Sequence, residues 1–194
     1  VSWLQALTEA LEPLLRIAGR IHSPWSHKFM DQTQCDLIMK AIEPGDIILT
    51  RTRGEFTNIL NPSYWKHSGI YTHVGIIEAV EKGVVKTKFY DYLMTKDHVA
   101  VVRPRGMSQI DRHRVIQESM NQVGKPYDFN FCLSPKAFYC FELCMYVWKR
   151  VRPEWGFEAR ERLGKMTVVG DDFFLARQYF DVIYTNHLST NTTG

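Results

Sequence analysis

Along the 194 residues, apolar and polar positions alternate in stretches of distinct period, and the periods predict the elements. Leu4, Leu7, Leu11, Leu14, Leu15 and Ala18 recur at helical spacing, with Pro13 placed to kink the helix. Residues 22–31 read as irregular, and Gln32 to Ile42 as a second helix ended by Glu43-Pro44-Gly45. Asp46 to Thr50 is a short buried strand, and Phe56 to Leu60 a helical turn closed by Asn61-Pro62. From His67 to Lys88 the pattern predicts strands broken by turns at Thr72-His73 and Glu81-Lys82-Gly83. Phe89 to Thr95 reads as a short helix and His98 to Arg103 as a strand. Ser108 caps a helix that Gly124 stops, and Phe138 to Val151 is a strongly apolar helix. A short helix at Asp171 to Arg177 and a strand at Phe180 to Thr185 precede a polar tail.

Helices, then a run of strands, then helices again predict an α+β fold with a small antiparallel, barrel-like sheet packed on the apolar helix. The size is that of one domain. It divides into an N-terminal helical extension at 1–42, a core at 43–185 and the tail at 186–194. The N-terminal helix has two open readings: it packs on the domain, or it binds a membrane surface or a partner.

Composition narrows the class. Net charge is +3, and the basic clusters are short and scattered, so no nucleic acid is expected as a partner. No run of 18 apolar residues predicts a membrane-spanning helix. The start lacks an initiator Met, as a trimmed chain would, and it lacks a signal-peptide layout, which favours a cytoplasmic location. The four cysteines form no Cys-x-x-Cys pair, and Cys140 and Cys144 lie one helical turn apart, a poor disulfide geometry. A reducing environment fits them better than a disulfide framework. Asn191-Thr-Thr matches a glycosylation sequon but has no secretion signal to go with it. No metal-spaced His or Cys set and no phosphate-cradling Gly loop is present, so neither metal nor cofactor is expected.

The candidate chemistry begins at Cys140, at the N-terminal end of the apolar helix, whose buried stripe is Cys140, Leu143, Cys144, Val147 and Trp148. The positive end of a helix dipole favours a thiolate. A nucleophilic thiol needs a base. A two-residue turn at Thr72-His73 places His67 directly opposite Glu78, with Cβ atoms about 5 Å apart. A carboxylate beside an imidazole fixes its tautomer and stabilises the imidazolium. The same pair on a solvent-facing hairpin is the structural alternative, as a buried inert thiol is for Cys140.

These residues carry a resemblance. His67-Ser-Gly-Ile-Tyr71, Val74-Gly-Ile-Ile-Glu78-Ala79 and Phe138-Tyr-Cys140-Phe-Glu142-Leu143 look like the permuted NlpC/P60 hydrolases, papain-like proteins of the YiiX-like kind. Lecithin:retinol acyltransferase-type enzymes are their cousins. Gly45-Asp46 matches the pair that opens the first core strand, and Gly124-Lys-Pro-Tyr127-Asp128 matches the approach to the Cys. The closing segment is matched by Asp171-Asp172-Phe and Phe180-Asp-Val-Ile-Tyr184. Two positions depart from the pattern: Phe141 stands where the family usually has Ser, and Ser68 replaces an apolar residue. A rival register makes His73 the base, with an acid such as Asp91 supplied from elsewhere.

The resemblance implies a circularly permuted papain-like order and a thiol hydrolase. Cys140 is then the nucleophile, His67 the base and Glu78 its orienter. The substrate is a small molecule, peptide or lipid with an amide or ester carbonyl. Tyr127 is a candidate second oxyanion donor, and Tyr139 and Phe141 flank the nucleophile as candidate pocket residues. Acyl transfer through the same thioester, or a binding protein with a retired site, are the alternatives.

Overall fold

The computed structural model describes residues 29–52, 63–162 and 164–187. The helix expected at 3–20 and the turn expected at 56–60 lie outside the described residues. Helix α1 (Gln32–Ala41) opens with a capping box in which Asp31 and Gln34 satisfy each other's backbone amides. Strand β1 (Ile47–Arg51) follows, then β2 (His67–Thr72), β3 (Gly75–Val80) and β4 (Gly83–Thr87). Helix α2 (Phe89–Leu93), strand β5 (His98–Pro104) and helix α3 (Gln109–Met120) come next. Helix α4 (Cys140–Val151) carries the candidate nucleophile. A short hairpin, β6 (Arg160–Arg162) and β7 (Lys165–Thr167), precedes helix α5 (Gly170–Leu175) and strand β8 (Phe180–Thr185).

Six strands form one sheet in the order β4-β3-β2-β1-β5-β8, with every neighbouring pair antiparallel. Both faces are covered, so strands such as β5 are apolar at successive positions rather than at alternate ones. Ile47, Leu49, Ile70, Ile77, Ala100 and Val102 pack with Leu143, Val147 and Trp148 of α4. The intervening Ile48, Tyr71, Ile76, Val99 and Val101 pack with Cys35 and Ile38 of α1 and with Phe89, Tyr92 and Leu93 of α2. The connection from the C-terminal end of α1 to β1 is tied down by an ion pair between Asp46, which is buried, and Arg103, which is partly so. Arg103 donates from Nε to Asp46 Oδ1 (2.9 Å) and from Nη2 to Asp46 Oδ2 (2.8 Å), and Glu43 N–H donates to Asp46 as well (2.9 Å). Burial pushes the Asp46 carboxyl up, and the Arg103 hydrogen bonds oppose it.

The turn between β2 and β3 corrects the expected register. Its two loop residues are His73 and Val74, not Thr72 and His73, and Gly69 rather than His67 faces Glu78. Gly75 supplies the reason: it stands at φ +134°, a conformation side chains rarely adopt, so the chain turns one residue later than a Thr-His centre requires. The Thr72 hydroxyl closes the turn by donating to the Gly75 carbonyl (2.8 Å).

Candidate active site

The register shift is by two residues, which preserves the side-chain faces. His67 and Gly69 share a face, so His67 and Glu78 are diagonal neighbours rather than opposite ones. The pair still forms, with His67 Nε2 at 2.6 Å from Glu78 Oε2. Gly69 makes this reach available. A Cβ there would stand 2.4 Å from Ile76 Cγ2 and 3.5 Å from Glu78 Cβ. The Thr87 hydroxyl on β4 donates to the other carboxylate oxygen, Oε1, so both oxygens of Glu78 are held. Sequence reading missed Thr87, whose only signal was its place on the strand paired with β3.

Cys140 is the first residue of α4 and is largely buried. The amides of a helix's first turn have no partner within the helix, and Cys140 stands at that end of α4. One turn on, Cys144 Sγ meets the Ser68 hydroxyl at 3.4 Å, which seats the helix on β2 beside His67. Cys140 and Glu78 both act on the His67 imidazole. Burial pushes the imidazole down. The hydrogen bonds and charges of Cys140 and Glu78 outweigh it and raise the pKa to about 9. Burial likewise pushes the Glu78 carboxyl up, and the His67 hydrogen bond and charge bring it below its ordinary range. Tyr92 of α2 lies against the imidazole, ring centroids 5.9 Å apart, and shields that side from water. His73 is exposed in the turn.

The segment leading to Cys140 is fixed at its base. Tyr127 and Phe138 form a parallel bridge, with Asp128 N–H donating to the Phe138 carbonyl and Phe138 N–H to the Pro126 carbonyl, both at 3.1 Å. Tyr127 is half-buried, and burial and the nearby Cys140 charge push its phenol up, so it stays protonated. Tyr139 caps α4 and turns its hydroxyl to accept the Val168 N–H (2.9 Å). Phe141 points into the core toward Phe173, 6.3 Å between ring centroids, and is 2 % exposed. Its bulk therefore fills space under α5 at Gly170, where a Cβ would stand 3.1 Å from the Phe141 ring.

Two buried carboxylates that sequence reading left unassigned hold the same segment. Glu142 accepts the Ser134 N–H (2.7 Å) and the Tyr139 N–H (3.4 Å), and burial raises its carboxyl to about 7. Asp128 accepts the amides of Asn130 (2.8 Å) and Cys132 (2.5 Å).

A family model described as the permuted papain-like amidase enzyme, YaeF/YiiX, C92 family, matches residues 41–192. The chain belongs to this family. It is thereby a papain-like thiol hydrolase of the cysteine amidase and peptidase type. The crystal structure of metalloprotein yiiX from Escherichia coli O157:H7 is similar in fold, with a TM-score of 0.64 at 21 % identity. The likeness covers 74 % of this chain and 97 % of that one. Among curated proteins none matches the sequence.

Proposed function

We propose that the protein hydrolyses an amide or ester through Cys140, His67 and Glu78. The observation that carries this reading is that one imidazole, His67, bonds to a buried carboxylate and is close enough to Cys140, at the start of α4, for the thiol to raise its pKa. With Nε2 engaged by Glu78, Nδ1 is the nitrogen left for the thiol. The raised pKa of His67 favours an imidazolium at neutral pH.

In this mechanism the Cys140 sulfur attacks the carbonyl carbon. The tetrahedral oxyanion lies at the first-turn amides of α4, beginning with the Cys140 N–H, and Tyr127 supplies a second donor through its protonated phenol. Collapse breaks the carbon–nitrogen or carbon–oxygen bond, and His67 donates its proton to the leaving amine or alcohol. Water then attacks the thioester while His67 takes a water proton. The carboxylic acid leaves, and the sulfur regains its partner. Glu78 keeps the imidazole oriented throughout and stabilises it whenever it carries the proton. The yiiX protein is described as a metalloprotein. In this chain no group of three His, Cys, Asp or Glu among the described residues could hold a metal ion, and no step here passes through one.

The test is turnover of an activated ester in water with and without a primary amine. Release of the free acid at an unchanged rate supports hydrolysis. Dominant amide product identifies an acyltransferase instead, and no acyl-enzyme at all contradicts both.

A further inference from the structure

The loop that leads to the nucleophile is built inside out. Tyr127, Phe129, Phe131 and Leu133 alternate with polar residues. In an ordinary loop at the edge of a core the apolar members face in. Here Asp128 is 7 % exposed and spends both carboxylate oxygens on the loop's own amides, whereas Phe131 and Leu133 are 41 % and 43 % exposed. Phe131 is also the one non-glycine with positive φ among the described residues, at +53°. A bulky aromatic gains nothing locally from that conformation. Glu142, from the first turn of α4, anchors the loop again at Ser134, and Lys165 of β7 donates to the Asn130 carbonyl (2.8 Å). The structure thus fixes an exposed aromatic in a costly conformation from three sides.

Its position is on the segment that leads into Cys140. The Phe131 ring lies 5.2 Å from that of Tyr139, the residue before Cys140, and the loop closes on the Tyr127–Phe138 bridge. We propose that Phe131 and Leu133 are the specificity-determining residues of the site, and that they receive an apolar group flanking the scissile carbonyl. The inference rests on the thiol-hydrolase reading and adds the substrate class to it. An exposed apolar pair braced by buried carboxylates next to a nucleophile is covered by the substrate when it binds, and contributes through the water released from both surfaces.

Two sources share this chemistry, a straight acyl chain and a large apolar side chain of a peptide. The experiment separates them with two series of p-nitrophenyl esters on the purified full chain: acetyl to octanoyl, and N-acetylglycyl against N-acetylphenylalanyl. Selectivity is read as the ratio of kcat/KM within each series, and acylation of Cys140 is followed by mass. The expected result is a rise in one series; for the acyl chain it is about fourfold for each of the first buried methylenes, equivalent to about 0.8 kcal/mol each. Phe131→Asn keeps a residue that tolerates positive φ and removes the apolar ring. Together with Leu133→Asn it should bring the ratio close to one, and Phe131→Leu should restore most of it. Thermal unfolding of each variant separates loss of selectivity from loss of fold. Flat ratios in the wild-type protein, or equal ratios in the wild-type and Asn variants, overturn the inference while leaving the hydrolase standing. No acylation of Cys140 by any ester overturns the hydrolase reading and this inference with it.

Discussion

His67 and Glu78 form their 2.6 Å contact across a diagonal of the β2–β3 ladder, over a glycine that directly faces the carboxylate. The vacancy at Gly69 is therefore part of the site. Gly69→Ala places a Cβ 2.4 Å from Ile76 Cγ2 and 3.2 Å from the Ile77 carbonyl. Overpacking of this kind costs about 1–3 kcal/mol. Chemical denaturation should show that loss, and turnover should fall further than stability alone explains, because the strands must part where Glu78 leans over.

The proton on His67 should set the alkaline limb of activity. Its pKa is raised to about 9, so the imidazolium persists through neutrality and is lost as pH rises through that value. The hydrogen bond and charge of Glu78 both raise it, so Glu78→Gln should move the limb to lower pH. A limb that stays in place in this variant contradicts the role given to Glu78. The same sign holds for stability: the contribution of His67 is complete below its ordinary pKa of 6.5 and disappears as pH passes about 9.

Glu142 should act on stability in a different window. Burial raises its carboxyl to about 7, so between the ordinary 4.5 and about 7 the folded chain holds a proton that the unfolded chain has released. Stability from this group therefore falls as pH rises through that interval. Thermal unfolding of Glu142→Gln, compared with wild type at pH 5 and pH 8, should show a smaller decline, since the amide cannot ionise.

The cysteines should separate by environment. Burial pushes the Cys144 thiol up to about 12 and also raises that of Cys35, whereas Cys132 is exposed. Iodoacetamide at neutral pH should label Cys140 first and Cys132 next, leaving Cys35 and Cys144 unmodified in the folded chain. Peptide mapping reads this directly, and early labelling of Cys144 would contradict the seating of α4 on Ser68.

Breaking the ion pair that ties β1 to β5 should be costly. Asp46 is fully buried and both its oxygens are bonded to Arg103. Arg103→Ala leaves that carboxylate without its charge partner, at a loss of about 3–5 kcal/mol. Denaturant unfolding measures it.

Much of this architecture was legible in the sequence because its signals are local. Asp31 and Ser108 mark helix starts through side chains that bond amides three residues on, and the stripe on α4 follows from helical spacing. Pairing of His67 with Glu78 was also legible, since a shift of two residues leaves both on one face. The register itself was misplaced, because the turn is set by the positive φ of Gly75 rather than by the Thr72-His73 pair. The β6–β7 hairpin was missed: Arg-Glu-Arg and Lys-Met-Thr are three-residue strands without apolar alternation. Thr87, Glu142 and Asp128 were missed as supports because each acts through a contact that only the folded chain creates.

Cys140 carries the acyl group, and His67 moves the protons that let it form and leave. Mass spectrometry of the protein quenched during turnover of an activated ester tests it most directly, with peptide mapping to place the adduct. The wild-type chain should carry a single acyl group on Cys140, and Cys140→Ala none. In His67→Ala acylation should be slowed by about 10²–10⁴-fold, and in His73→Ala it should be nearly unchanged. An adduct on another residue, or continued turnover by a folded Cys140→Ala protein, would contradict it.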